Sequence, residues 1–152
     1  MNLMELLERE RIPYSLDEHA EAGTAIALAV AEHVPGHQVI KPVVVEADGI
    51  MVMCALPADR RVDMSTLRSI LGARQLRLVN EEELAELCPD CELGAEAPIG
   101  RLYGMDTLLD ESVLDEDMVI FQAGTHHTAV RMSRDDFQRL ANARIVSFSR
   151  PD

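Results

Sequence analysis

An Asp48-Gly49 pair stands between two apolar runs, Val39-Ile40-Lys41-Pro42-Val43-Val44-Val45 and Ile50-Met51-Val52-Met53-Cys54-Ala55-Leu56. Asp-Gly flanked by hydrophobic segments signals a two-residue hairpin, because both central positions of the favoured turn take positive φ. The runs are predicted to be neighbouring antiparallel strands, and any fold has to accommodate that hairpin. The first run is β-branched and lacks polar alternation, which predicts a strand covered on both faces. Its single charge is Lys41, the only lysine in a chain that otherwise uses arginine. Pro42 holds Lys41 extended and removes one ladder donor, so an edge or a bulge is predicted at that point. A lone ammonium in apolar surroundings is costly unless it meets an anion or reaches water. Two readings stand: a functional charge at an open mouth, or a strand-entrance lysine with a packed stem and a solvated head.

Around the hairpin the local signals alternate between helix and strand. Asn2 is predicted to cap a short helix carrying Leu3, Leu6 and Leu7 that ends before Pro13, and Pro13 to Asp17 reads as a short strand. Thr24 is predicted to cap a helix from Ala25 to His33, closed by Pro35-Gly36. Asp63 caps a helix with Leu67, Ile70 and Leu71 that Gly72 stops, and Leu76 to Val79 follows as a strand. Asn80 with three glutamates starts a helix running to about Leu87. Met118 to Ala123 and Thr128 to Met132 form a second predicted hairpin across Gly124-Thr125-His126-His127. Ser133 with Asp136 resembles a capping box for a helix from Arg134 to Leu140, and Ile145 to Phe148 is a last strand. Hairpins mixed with helices give an α+β class rather than a regular βαβ winding.

At 152 residues, with 47% hydrophobic and 27% charged residues, the chain fits one globular domain, 1–152. The start lacks the basic and apolar regions of a signal peptide, no apolar run reaches membrane-spanning length, and a cytoplasmic location is expected. Cys54, Cys88 and Cys91 are an odd number, which argues against a secreted disulfide framework. A net charge of −13 argues against a broad nucleic-acid-binding face. Arg60, Arg61, Arg68, Arg74 and Arg77 make one local basic stretch, read as a solvated face. Cys88 and Cys91 have zinc half-site spacing without a second pair, and His126 and His127 would have to supply the remaining ligands from another hairpin. Buried or inert thiols are the default expectation, because Asp90 and Glu92 disfavour a thiolate.

The segment Cys88 to Gly100 is long for a connection and is dominated by Gly, Ala and Pro, as in a binding loop. With it the pattern becomes specific. Lys41, Leu71-Gly72-Ala73, Leu78 with Glu82 and Glu83, Gly94-Ala95-Glu96-Ala97-Pro98-Ile99-Gly100, and Ala123-Gly124-Thr125-His126 follow in an order that resembles the YbaK/prolyl-tRNA synthetase-associated domain family. The likeness runs from about Tyr14 to Phe148, with departures at Pro42, Ile99 and the Cys88-Pro89-Asp90-Cys91 segment. It implies a curved, mixed but mostly antiparallel, barrel-like sheet surrounded by helices. It also implies trans-editing, the hydrolysis of a small amino acid wrongly esterified to tRNA, without a cofactor. The implied partners are the aminoacyl-tRNA acceptor end and, in some members, an aminoacyl-tRNA synthetase. Lys41 corresponds to the family lysine, and Gly94, Ala95, Glu96, Ala97 and Pro98 to its catalytic loop. Thr24, Met51, Met53, Gly100, Gly124 and His126 are the residues expected to meet the substrate.

Read from the residues alone, the chemistry is compatible. An activated ester needs positioning and oxyanion stabilisation more than a nucleophilic side chain. Backbone N–H groups of the Gly94–Gly100 loop are candidate oxyanion donors, and Lys41 is a candidate for binding the terminal phosphate or the carbonyl. The resemblance implies that a water activated by the ribose hydroxyl completes the step, and the Glu96 side chain is expected to face solvent. The competing class is a module on the same fold that binds a nucleotide, a tRNA end or a protein without hydrolysis. A zinc or thiol sensor is a third reading.

Overall fold

The computed structural model describes residues 1–152. Its centre is the predicted hairpin: β2 (Ile40–Ala47) and β3 (Ile50–Pro57) pair antiparallel through eight residues, with Asp48 at φ 49° and Gly49 at φ 88° in the turn. Positive φ at both turn positions is what Asp-Gly supplies at low cost. Asp48 also accepts backbone N–H bonds from Arg74 and Gln75, which ties the turn to the segment that follows the third helix.

On the far side of β2, β5 (Leu76–Leu78) pairs antiparallel, but only from Val45 to Ala47. The Lys41–Pro42 end of β2 therefore has a free edge, as Pro42 requires. Beside β3 lies β6 (Asp106–Asp110), parallel to it, and then β9 (Arg144–Val146), parallel to β6. These strands form a five-stranded mixed sheet in the order β5-β2-β3-β6-β9. A separate antiparallel sheet contains β1 (Ser15–Glu18), β8 (Thr128–Ser133) and β7 (Met118–Gln122), and β10 (Ser149–Pro151) pairs with β4 (Arg60–Val62). One parallel bridge, Val39 to Ile120, links the two larger sheets. The expected barrel-like sheet is thus corrected: the α+β class holds, but three sheets meet without closing.

The five α-helices start where capping chemistry predicts. Asn2, Thr24, Asp63, Asn80 and Ser133 each accept a backbone N–H from the residue three positions on, opening α1 (Leu3–Arg9), α2 (Ala25–Ala31), α3 (Met64–Leu71), α4 (Glu81–Leu87) and α5 (Arg134–Ala141). α2 stops two residues short of the expected His33, which sits at φ 57°. None of the helices is long and apolar enough to cross a membrane. The largest buried cluster joins α1 and α5 to β7 and β8 through Leu6, Leu7, Phe121, Val130, Phe137 and Leu140. A second cluster, around Val45, Cys54, Leu56, Leu67, Leu108 and Phe148, lies between α3 and the five-stranded sheet.

β4, β6 and β10 are elements that local patterning did not predict. The sheet ends are held by Asp110, which is buried. Its carboxylate accepts N–H bonds from Phe148 and Ser149, both at 3.0 Å, and the Ser149 hydroxyl at 2.7 Å, with Ser112 on the other side. Burial raises the Asp110 pKa, but these donors outweigh it and hold the group below the ordinary carboxylate range.

Candidate active site

Lys41 sits at the free end of the hairpin, half-buried, with its Nζ donating to Ala58 O at 3.2 Å. No carboxylate forms a salt bridge with it. Burial lowers the ammonium pKa, and the nearby Asp152 and Asp59 only partly counter that. The result is a point charge with spare donors at a place where the sheet edge is open.

Facing it is the Cys88–Gly100 segment, whose path is set by hydrogen bonds from distant elements. Glu92 N donates to Gly124 O at 2.9 Å and Gly124 N to Ala95 O at 2.8 Å, so the β7–β8 turn clamps the loop twice. Ala97 N donates to the Tyr103 hydroxyl at 3.1 Å, and Gly100 N to Thr107 Oγ1 at 2.7 Å. Burial pushes the Tyr103 phenol up to about 12, so its proton stays on. Gly94 lies at φ 89°, and a Cβ there would come within 3.2 Å of Gly23 O. Gly is required at that point both by the left-handed backbone and by the approach to Gly23.

Glu96 corrects the expectation of a solvated side chain. Only 2% of the residue is exposed, and its two carboxylate oxygens accept the Gly94 N–H at 3.1 and 3.2 Å. The short backward reach from position 96 to 94 tucks the carboxylate under the loop, where a local donor offsets part of its desolvation. The idea of an open row of oxyanion donors also changes. The N–H groups of Gly94, Ala95, Ala97, Ile99 and Gly100 already have acceptors, and Pro98 has no N–H. Within Gly94–Gly100 the N–H of Glu96 alone has no protein partner.

Lys41, Thr24, Gly94 and Glu96 come together around a cavity of about 230 Å³, walled also by Leu84 and Gln122. Thr24 Oγ1 accepts Ala27 N at 3.1 Å, which leaves its hydroxyl proton free to donate. Ala95, Ala97, Pro98 and Gly100 are buried and support the loop from behind. Met51 and Met53 are not at this cavity. Met53 pairs with Val44, three residues from Lys41, so the alternation of the strand sends it to the opposite face, where it is fully buried with Val44 and Met105. His126 does not line this cavity: its Nε2 is 2.7 Å from Leu93 O and its Nδ1 3.5 Å from a Glu92 oxygen. His126 therefore braces the loop backbone, and Gly124 belongs to the same clamp.

A larger cavity, about 310 Å³, opens on the other side of the loop between Met1, Met4, Leu87, Cys91, Leu102 and Tyr103. It is mostly apolar and lacks Lys41 and Glu96, so the smaller cavity is the chemically equipped one. Beside the larger one, Cys88 and Cys91 are joined in a disulfide, in place of the expected free thiols. Cys54 is free and buried, and burial raises its pKa to about 12. No three His, Cys, Asp or Glu side chains are grouped so as to hold a metal ion. Two residues that sequence reasoning passed over are central here: Tyr103, which carries the loop, and Gln122, a glutamine ending an otherwise apolar strand.

The chain is similar to known proteins over most of its length. The Multifunctional Ser/Thr-tRNA deacylase ProXp-y of Escherichia coli (strain K12) is 27% identical over 153 residues, covering 97% of this chain and 91% of that protein. A Proline--tRNA ligase of Nitratidesulfovibrio vulgaris is 28% identical over 123 residues, covering 78% of this chain but 21% of the ligase. Among solved structures, hypothetical protein APE2540 superposes with a TM-score of 0.88 at 17% identity, covering 97% of this chain and 99% of that one. A protein provisionally described as a trans-editing enzyme for prolyl tRNA synthetase gives 0.84 at 21% identity, covering 97% and 94%. Residues 19–140, which include Lys41 and the whole Gly94–Gly100 loop, match the model of the aminoacyl-tRNA editing domain, and the chain belongs to that family.

Proposed function

We propose that this protein is a trans-editing deacylase that hydrolyses the ester between a small, wrongly attached amino acid and the terminal ribose of tRNA. The observation that carries the reading is the convergence of Lys41, Gly94 and the buried Glu96 on one cavity of about 230 Å³, in a chain of the editing-domain family. A cavity of this volume suits a small amino acid with its nucleoside held at the mouth. The names of the relatives support tRNA as substrate, with serine and threonine as the first amino acids to test.

In this reading Lys41 binds the acceptor end, through a phosphate or the ester carbonyl, by a charge-assisted bond. The Glu96 N–H, free of any protein acceptor, is the donor for the oxygen that becomes negative as water attacks the carbonyl carbon. The tetrahedral intermediate collapses with cleavage of the bond to the ribose oxygen. That oxygen leaves as a hydroxyl after taking the proton released by the attacking water, relayed by the adjacent ribose hydroxyl. The Glu96 carboxylate and the Gly124 clamp hold the loop in the geometry that aims this N–H. Catalysis then rests on preorganisation, which suits an already activated ester.

The remaining interface is confined to the acceptor end. The chain carries a net charge of −13, but repulsion beyond about 10 Å is largely screened at moderate salt, so a local contact is compatible with tRNA. An aminoacyl-tRNA synthetase as a second partner fits the likeness to part of a proline–tRNA ligase. The test is a panel of one tRNA body charged with serine, threonine, alanine, proline and a large aromatic amino acid, incubated with the protein. Release of the small residues and sparing of the aromatic one is expected. Unchanged esters across the panel, with retained tRNA binding, would establish the non-catalytic module instead.

A further inference from the structure

Gln122 ends β7 at the wall of the Lys41–Glu96 cavity and is 4% exposed. Its Nε2 donates to Ala22 O at 2.8 Å. A carbonyl oxygen accepts and never donates, so this contact fixes the amide: nitrogen towards Ala22, oxygen the other way. Ala22 is itself pinned, its N–H donating to His126 O at 2.9 Å. Gln122 Oε1, in contrast, is buried and has no hydrogen-bond partner. A buried amide oxygen without a donor is a standing cost that most buried polar groups avoid. Such a group beside a cavity marks a place where a ligand donor belongs.

We propose that Gln122 Oε1 accepts the side-chain hydroxyl of the esterified amino acid and so makes this protein selective for hydroxylated residues over their isosteres. The inference rests on the deacylase reading above and adds a specificity residue to it. A neutral amide oxygen in a closed site matches a neutral hydroxyl donor, whereas a substrate ammonium buried against it would keep an uncompensated charge. When a methyl replaces the hydroxyl, Oε1 stays unpaired as it is in the free protein, so the two substrates differ by the hydrogen bond that only the hydroxylated one makes, to an oxygen that is already desolvated.

The experiment uses one tRNA body charged with serine, 2-aminobutyrate, threonine, valine or O-methylserine, and compares kcat/KM for the wild-type protein and Gln122→Met. Serine against 2-aminobutyrate and threonine against valine each exchange one hydroxyl for a methyl at nearly constant volume. The wild type is expected to favour the hydroxylated member of each pair by about ten- to a hundredfold, and O-methylserine, which cannot donate, is expected to behave like 2-aminobutyrate. In Gln122→Met the serine rate should fall to within about threefold of the 2-aminobutyrate rate of the same variant. Equal wild-type rates within both pairs, or a variant that loses serine and 2-aminobutyrate alike, would overturn the assignment. If the variant does not fold, the wild-type series with O-methylserine still decides. Failure of the wild type on every substrate would instead sink the deacylase reading, so the two failures are distinguishable.

Discussion

Replacing Glu96 by glutamine removes one charge at nearly constant volume, at a position that is 2% exposed and where two oxygens share the Gly94 N–H. A hydrogen bond to a charged acceptor contributes about 1.5–3 kcal/mol and one to a neutral acceptor about 0.5–1.5 kcal/mol, so the clamp weakens by about 1 kcal/mol. In a chain of this size that corresponds to a fall in Tm of about 2–4 °C. If the carboxylate acts only by holding the loop, transition-state stabilisation falls by no more than the clamp loses, and kcat/KM drops by less than about tenfold. No titrating group would leave the reaction, so the pH profile should keep its shape. Glu96→Ala removes both oxygens, leaves the Gly94 N–H without its acceptor, and should cost more in both Tm and rate. The assay is single-turnover deacylation of seryl-tRNA over a pH series, paired with thermal melts. A loss of about a hundredfold or more in Glu96→Gln, with the acid limb of the profile gone, is the scale of a general base. That result would refute the positioning role and make the carboxylate itself the group that takes the proton from water.

Lys41→Ala is expected to lower kcat/KM by at least about a hundredfold with Tm nearly unchanged, and Lys41→Arg to recover little, because a planar fork does not replace a compact ammonium. Full activity of the alanine variant would end the mechanism. Gly94→Val forces a β-branched residue to φ 89° and its Cβ to within 3.2 Å of Gly23 O; a stability loss of about 1–3 kcal/mol is expected, along with loss of activity, read by melts and the deacylation assay. Cys88→Ser with Cys91→Ser opens a loop of only four residues, worth about 2 kcal/mol at most in chain entropy; turnover should stay within about threefold, and a collapse of activity in the folded double variant would place the disulfide in the chemistry. The folded pKa of Asp110 lies below its unfolded value of about 3.9, so its contribution is fully present above that pH and is lost as pH falls through the folded pKa. Tm should therefore fall more steeply on acidification in the wild type than in Asp110→Asn, which is already weaker near neutrality; parallel curves would remove Asp110 from the acid response.

What the sequence made legible is the structure that local chemistry decides. The Asp48-Gly49 turn, the five caps and the Gly72 stop each depend on residues within a few positions of one another, and each appears where predicted. β6 was not legible, because Asp106–Asp110 is short, bounded by acids, and becomes a strand only through parallel pairing with β3 and β9, its partners far along the chain. The same distinction runs through the site. Lys41 stood out as the one lysine in an apolar run, and its placement at a free edge followed from Pro42. Glu96 was misread because a glutamate is assigned to solvent by default, and only the fold of its own loop back to Gly94 makes burial affordable. His126 was placed at the substrate by the resemblance, since its position in the turn left both outcomes open, and in the structure its ring meets Leu93 O. The loop's shape depends on Gly124, Tyr103 and Thr107, none of which is local to Gly94. A site built this way exists only when both larger sheets are in place, since Gly124 follows the three-stranded sheet and Thr107 belongs to the five-stranded one. Local unfolding of either sheet would therefore release the loop and abolish activity before the other sheet melts, so the deacylation assay reports on the less stable of the two.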